Sequence, residues 1–246
     1  MGSVIARTGK TSLAHAALGE CRLFAGLDAP IITIVSDALR PRRFRRGETI
    51  FHVGDPGDAL FIVTSGHVKI TIPPGDDSEH AILTTVAPGG FFGELALLDG
   101  APRSATAVAL VAVETQVLRR DAFDRLVDEQ PALRRALFGA LAAEIRRLTA
   151  QFGDLHFLDL PGRLSRHLLR SLPGGDEGES WAPPLGGGEQ RLPWPYTQGE
   201  LAGMIGGSRQ SVNRLLADFV AQGLLRFEGD DLVIPDAARL AAAARW

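Results

Sequence analysis

Glu94 and Arg103 stand nine residues apart in the stretch FGELALLDGAPRSA, residues 92 to 105, among glycines and apolar side chains. A buried strand does not ordinarily carry two such charges, and a surface loop is not ordinarily so apolar. Arginine presents a planar fork of donors that suits a phosphate, and a glycine-bearing turn lets backbone N–H groups approach the same anion. Gly93 supplies the close approach, Arg103 the guanidinium, and Ser104 a hydroxyl and an N–H. A carboxylate beside a phosphate repels it, so Glu94 needs another partner. Either it accepts a hydrogen bond from a neighbouring sugar hydroxyl, or it pairs with Arg103 and orients it. Phosphate plus sugar enclosed by apolar residues describes a nucleotide; the plainer alternative is a Glu–Arg ion pair that staples a turn.

A second constellation lies in YTQGELAGMIGGSRQSVNRLLADFVAQGLL, residues 196 to 225. Thr197 followed by Glu200 is a capping box that starts a helix with Leu201, Met204 and Ile205 on its apolar face. Gly206 and Gly207 permit a tight turn, since glycine accepts positive φ. Ser208 caps a second helix whose Val212, Leu215, Leu216 and Phe219 fall at i, i+3, i+4 and i+7. Arg209, Gln210, Ser211, Asn213 and Arg214 are left pointing outward. Arginine hydrogen-bonds bidentately to guanine and glutamine to adenine, while the others can hold bases or phosphates. This is the pattern of a helix-turn-helix, with Thr197, Ser208, Arg209, Gln210, Ser211, Asn213 and Arg214 as its DNA face. The alternative is an αα-hairpin with a polar outer side. From 156 to 227 there are seven Arg and no Lys against seven Asp plus Glu, unlike a basic DNA-binding domain. Four of those acids, Asp176, Glu177, Glu179 and Glu189, fall in a loop away from the reading helix.

The elements that must carry these residues can be read from periodicity. ETIFHVG, ALFIVTSGHVKITI, HAILTTVAPG and SATAVALVAVETQVLRR are rich in Val, Ile, Thr and Phe and are separated by GDPGD, SG, PPGDDS, PGG and DGAP. Short strands at this spacing predict an antiparallel barrel, roll or sandwich. From 131 to about 155 the pattern changes: Phe138, Leu141, Ile145, Leu148, Phe152 and Leu155 alternate at spacings of three and four, a heptad seam on one long helix. So regular a stripe predicts a parallel dimer, although it could pack on its own domain. LPGRLSRHLLRSL reads as a shorter helix, residues 173 to 195 as a Gly/Pro-rich loop or β-ribbon, and GLLRFEGDDLVIP as a small strand-like end. The fold class is therefore α+β: residues 1–20 an N-terminal segment, 21–130 a β-rich domain, 131–156 a dimerisation helix and 157–246 a DNA-binding domain.

Composition narrows the remaining chemistry. The 246 residues carry a formal charge of −3 and 45% hydrophobic side chains, ordinary for a globular chain with one large or two small domains. The single cysteine, Cys21, cannot make an internal disulfide, a cysteine-only zinc site or a four-cysteine iron–sulfur site. His15, His52, His67, His80, His156 and His167 show no cluster for haem, and no H-x-H of a metal-dependent cupin occurs. No metal or haem is expected. GKTS at 9–12 resembles the end of a Walker A motif, but Val4 stands where its first glycine belongs and no strand precedes it. No apolar run approaches the ~20 residues of a membrane span, the start lacks an apolar signal core, and cytoplasm is the expected compartment. About ninety residues beyond the long helix leave no room for a catalytic domain, and no nucleophile–base pair stands out, so an enzyme is not expected.

The stretch FGELALLDGAPRSATA resembles the phosphate-binding cassette of cyclic-nucleotide-binding domains. With the long helix and LAGMIGGSRQSVNRLLADF, the chain from about 23 to 234 is similar to the cyclic AMP receptor protein family of bacterial regulators, which shares a superfamily with the fumarate and nitrate reduction regulators. GDPGDALFIVTSGHVKI in the roll and FLDLPGRL, residues 157 to 164, at the hinge carry the same resemblance. It implies a jelly-roll-like antiparallel β-roll followed by the dimerisation helix and a winged helix-turn-helix. It also implies a homodimer that binds palindromic double-stranded DNA, answers to cyclic AMP and contacts RNA polymerase. Glu94 would then bind the ribose 2′-hydroxyl, Arg103 and Ser104 the cyclic phosphate, and Gly93, Leu95 and Ala105 would shape the pocket. Adjacent hydroxyl residues on the family's long helix contact adenine; here Thr149 keeps one, and Leu148 replaces the other. Arg209 and Arg214 match base and phosphate readers, while Gln210 replaces the usual glutamate. Glutamate accepts from cytosine and glutamine pairs with adenine, which puts the family's TGTGA half-site in question at that position. The rival expectation is a relative that binds DNA without a nucleotide, or with another ligand, the cassette serving as architecture.

Overall fold

The computed structural model describes residues 18–19, 21, 23–24, 26–72, 81–172 and 188–243. The GKTS stretch at 9–12, His15, His80, Asp176, Glu177 and Glu179 lie outside the described residues. The chain divides into two compact units: residues 1–76 with 82–144, and residues 145–246 with 77–81. In chain order the first unit holds α1 (Ala29–Ala38), β1 (Arg40–Phe44), β2 (Thr49–Phe51), β3 (Ala59–Ser65), β4 (Val68–Ile72), β5 (Ala81–Val86), β6 (Phe91–Phe92), α2 (Leu95–Asp99), β7 (Thr106–Ala109), β8 (Val113–Arg119) and α3 (Arg120–Glu129). The long helix α4 (Pro131–Phe157) runs from it into the second unit, which holds α5 (Leu160–Arg170), β9 (Gln190–Pro193), α6 (Gln198–Ile205), α7 (Arg209–Ala221), β10 (Arg226–Glu228), β11 (Asp231–Ile234) and α8 (Ala237–Ala243).

ALFIVTS lacks polar alternation because both faces of β3 are covered. Ala59, Phe61 and Val63 point into the roll with Phe44, Phe92, Ala107, Val113 and Val117. Leu60 and Ile62 point the other way, into a cluster with Leu118, Phe123, Leu126, Leu133 and Leu137. Two antiparallel four-stranded sheets make the roll, in the orders β1-β8-β3-β6 and β2-β7-β4-β5. The expected strands are present. Sequence periodicity passed over α1, the edge strand β1 and the short helix α2, which occupies part of what reads as a turn in LALLDGAP.

In the second unit one leucine-rich core joins α5 through Leu164, Leu168 and Leu169 to Leu201, Val212, Leu216 and Phe219 of the two-helix motif and to Leu232 and Ile234 of β11. Burying each such side chain contributes roughly 2 kcal/mol. Asp159 caps α5 by accepting from the Gly162 N–H at 2.9 Å, with Pro161 in the first turn. The sheet order β10-β11-β9 forms a wing behind the two-helix motif. Among the described residues no helix is long and apolar enough to cross a membrane, and no group of three or more His, Cys, Asp or Glu could hold a metal ion.

Candidate functional site

Arg103 is the pivot of the cassette between β6 and β7. Its backbone is tied to the loop before β3: its N–H donates to the Asp55 carbonyl at 2.9 Å and its carbonyl accepts from Gly54 at 2.8 Å. The side chain is 5% exposed. Nη1 donates to the Gly93 carbonyl at 2.6 Å and Nη2 to the Ala59 carbonyl at 2.8 Å. The guanidinium carbon lies 4.2 Å from the centroid of the Phe51 ring, within cation–π range. Nε is buried with no hydrogen-bond partner. A buried charged donor left without an acceptor is costly, and an anionic oxygen would satisfy it. The residues present therefore fit a phosphate.

Gly93 is required where it stands. Its φ is +84°, and a Cβ there would come 2.6 Å from Arg103 Nη1 and 3.2 Å from the Ala59 carbonyl oxygen. Glu94 follows, half-buried, at the N-cap position of α2. Burial is the main cause that raises its pKa above the ordinary carboxylate range, and the nearby Glu144 carboxylate adds to it. A backbone hydrogen bond and the charge of Arg103 act the other way. No Glu94–Arg103 ion pair forms among the described residues, so the stapled-turn alternative is not what the structure contains: the guanidinium is held by carbonyls. Ala105 is buried, while Ser104 and Leu95 are exposed. Phe51, Gly57, Arg120 and Glu144 also border the cassette, and sequence reasoning missed them. The one available signal was GDPGD, read only as a turn.

Thr149 lies on α4 in the second unit, exposed, with its hydroxyl donating to the Ile145 carbonyl at 2.9 Å. Along the same helix Leu133 and Leu137 are buried in the roll's outer cluster, and Leu141 is half-buried against it. Phe138, Ile145 and Phe152 are 63%, 64% and 64% exposed, and Leu148 and Leu155 are exposed too. The stripe read as a dimer seam is thus largely uncovered in the single chain.

Both halves of the capping box form at α6: the Thr197 hydroxyl accepts from the Glu200 N–H at 3.2 Å, and the Glu200 carboxylate accepts from the Thr197 N–H at 2.9 Å. Gly206 ends α6 at φ +66°, and Ser208 caps α7 by accepting from the Ser211 N–H at 3.1 Å. The hydroxyls of Thr197, Ser208 and Ser211 are therefore engaged in caps. Arg209, Gln210, Ser211, Asn213 and Arg214 are all exposed, opposite the buried Val212, Leu215, Leu216 and Phe219. Arginines elsewhere in the unit are neutralised: Asp154 pairs with Arg166 and Arg170, and Glu189 and Glu228 pair with Arg191 and Arg226. Arg209 and Arg214 have no ion pair among the described residues. The unit's balanced charge thus conceals a positive reading face. Beside that face runs an open groove of about 840 Å³, lined by Arg209, Asn213 and Thr197 at a polar end and by Trp194, Val220 and Phe227 at an apolar one. The tryptophan and tyrosine of LPWPYT carried no helix or strand signal and went unread.

Residues 41–130 match the cyclic nucleotide-binding domain family and residues 162–243 the Crp-like helix-turn-helix domain family. The chain is 36% identical to a CRP-like cAMP-activated global transcriptional regulator of Mycobacterium tuberculosis, over 93% of this chain and 98% of that one. Among solved structures it is similar to FixK2 from Bradyrhizobium japonicum, with a TM-score of 0.72 at 20% identity over 85% of this chain and 98% of that one. It is also similar to the c-di-GMP responsive global regulator CLP of Xanthomonas campestris, with a TM-score of 0.66 at 26% identity over 85% and 99%.

Proposed function

The chain belongs to the Crp family of transcription regulators, joining a cyclic nucleotide-binding domain to a Crp-like helix-turn-helix; from that premise we propose that it acts as a homodimer whose DNA binding is switched by cyclic AMP. The observation that carries the ligand half is Arg103: a buried guanidinium, fixed by two carbonyls and an aromatic ring, with Nε unpartnered. In this reading Arg103 and Ser104 take the cyclic phosphate, Glu94 accepts from the ribose 2′-hydroxyl, and Gly93, Leu95 and Ala105 shape the walls. The M. tuberculosis relative is described as cAMP-activated, which supports cyclic AMP as effector.

The DNA half rests on Arg209, Gln210, Asn213 and Arg214, with a sugar-phosphate strand running along the adjoining groove. The exposed stripe of α4 supports a parallel homodimer, which would set two reading helices ~34 Å apart on a palindromic site. RNA polymerase is the expected protein partner. Ligand shifts the equilibrium between DNA-binding and non-binding states only by its differential affinity for them.

A second reading has one observation behind it. Leu148 lacks the hydroxyl that cyclic AMP-binding members carry, and the X. campestris relative is described as c-di-GMP responsive. Titration calorimetry with cyclic AMP, cyclic GMP and cyclic di-GMP, repeated with DNA selected from a random pool, separates the readings. Heat with cyclic AMP and a matching gain in DNA affinity supports the proposal. No heat with any of the three, at unchanged DNA affinity, assigns the cassette to architecture. Thr149→Val, which deletes the helix hydroxyl, is expected to change the preference between cyclic AMP and cyclic GMP.

A further inference from the structure

Two arginines, not one, hold the cassette. Arg120 opens α3, and its guanidinium reaches back across the roll: Nη2 donates to the carbonyls of Gly57 and Ala96, each at 2.7 Å, and Nη1 to the Leu97 carbonyl at 3.3 Å. Its N–H donates to the Asp58 carbonyl at 2.8 Å, so backbone and side chain grip the same loop. Ala96 and Leu97 belong to α2, whose five residues give their carbonyls few helical partners. A fork of donors in one plane can serve several such acceptors; an ammonium is a point charge that cannot span them.

The same contacts connect in two directions. Gly57, whose carbonyl Arg120 holds, is wedged between the cassette helix and Arg103: a Cβ there would collide with the Ala96 methyl and approach the Arg103 guanidinium to 3.4 Å. Toward the long helix, the Leu97 side chain sits in one cluster with Phe123 and Leu126 of α3 and Leu133 and Leu137 of α4. A shift of α2 therefore meets Arg120 on its backbone and α3 and α4 on its side chain.

We infer that Arg120 is a positioning residue: it fixes α2 and the Gly57 loop so that Arg103 and Glu94 face the ligand, and it hands movement of the cassette to α3 and α4. The inference rests on the reading of the cassette as a cyclic nucleotide site, and its test separates the two. Wild-type protein is first titrated with cyclic AMP; absence of binding there refutes the nucleotide reading before any variant is made. Arg120→Met and Arg120→Lys are then compared by calorimetry, by melting without ligand, and by the gain in DNA affinity at nucleotide concentrations that saturate each variant. Arg120→Met is expected to bind cyclic AMP at least about tenfold more weakly, as loss of charged hydrogen bonds predicts. Arg120→Lys should lie between it and wild type, with the saturated DNA gain reduced in the same order. A purely structural arginine would lower melting temperature and leave the saturated gain intact. Should Arg120→Met fail to fold, Arg120→Lys carries the test. Affinity within twofold of wild type, together with an undiminished DNA gain at saturation, overturns the inference.

Discussion

The guanidinium carbon of Arg103 lies 4.2 Å from the centroid of the Phe51 ring, so an aromatic from β2 holds the charge that anchors the cassette, together with the carbonyls of Gly93 and Ala59. The ring's negative face attracts the cation, a term of ~0.5–2 kcal/mol in a partly desolvated site. Phe51→Leu keeps an apolar side chain and removes that face; cyclic nucleotide affinity is expected to fall about three- to thirtyfold by calorimetry. Arg103→Leu removes the phosphate donor as well, and binding should become undetectable while the roll still folds. Retained binding in Arg103→Leu refutes the phosphate assignment.

At the reading helix, Arg209 and Arg214 are the exposed arginines that no acid neutralises. Arg209→Ala is expected to cost ~1–3 kcal/mol on a selected DNA site and much less on unrelated DNA. Filter binding on the two DNAs at one salt concentration checks this. An equal loss on both would make Arg209 a phosphate contact. Gln210→Glu should move the preferred base at one half-site position from adenine toward cytosine, read by selection from a random pool.

Phe138, Ile145 and Phe152 present a row of exposed apolar surface on α4. Water-facing stripes of this length mark association surfaces. Ile145→Glu combined with Phe152→Glu places two carboxylates on the stripe. Sedimentation should then report a folded monomer with weak affinity for palindromic DNA and near-normal affinity for nucleotide. A variant that remains a dimer refutes the seam.

Much of this was legible because it rests on local rules. The capping box at Thr197 and Glu200, the glycine at positive φ and the i, i+3, i+4 stripe of α7 are each written in adjacent residues, and all three formed. The strands ALFIVTS and VETQVLR were readable from β-branched runs. β1, RPRRF, was not: four of its five residues are exposed, it contains proline, and only its pairing with β8 makes it a strand. Arg120 shows a different limit. Beside Arg119 it looks like one of two solvated charges, and its acceptors are backbone carbonyls sixty and twenty residues away, which leave no side-chain signature. The charge balance of the second unit misled for a related reason. A count of Arg against Asp and Glu cannot say which arginines are already paired.

Asp154, near the end of α4, accepts from Arg170 at 2.8 Å and lies 3.7 Å from Arg166, with all three side chains mostly buried. Removing one partner of such a group leaves uncompensated buried charge, a cost of about 3–5 kcal/mol. Asp154→Asn should therefore lower the melting temperature of the second unit by roughly 10 °C or more for a domain of this size. Asp154→Glu should recover part of it. A shift within 2 °C for Asp154→Asn would mean that the pair contributes little.

His167 gives the clearest pH dependence. It sits in α5 against Tyr196, ring centroids 6.4 Å apart, with Nε2 buried and unpartnered. Burial first, and the charge of Arg170 second, depress its pKa from 6.5 to about 4. The native unit thus prefers the neutral ring, while the unfolded chain takes up a proton near pH 6.5. A depressed folded-state value contributes stability that is fully present above the unfolded pKa and is lost as pH falls through the folded one. The window is therefore pH 6.5 down to about 4, and the full loss is ~3 kcal/mol. Carboxylates add their own acid sensitivity, so the test is a difference. His167→Leu, which gives up no hydrogen bond at Nε2, should melt with a shallower decline across that window than wild type. Parallel curves for the two proteins would show that the ring does not resist protonation in the native state.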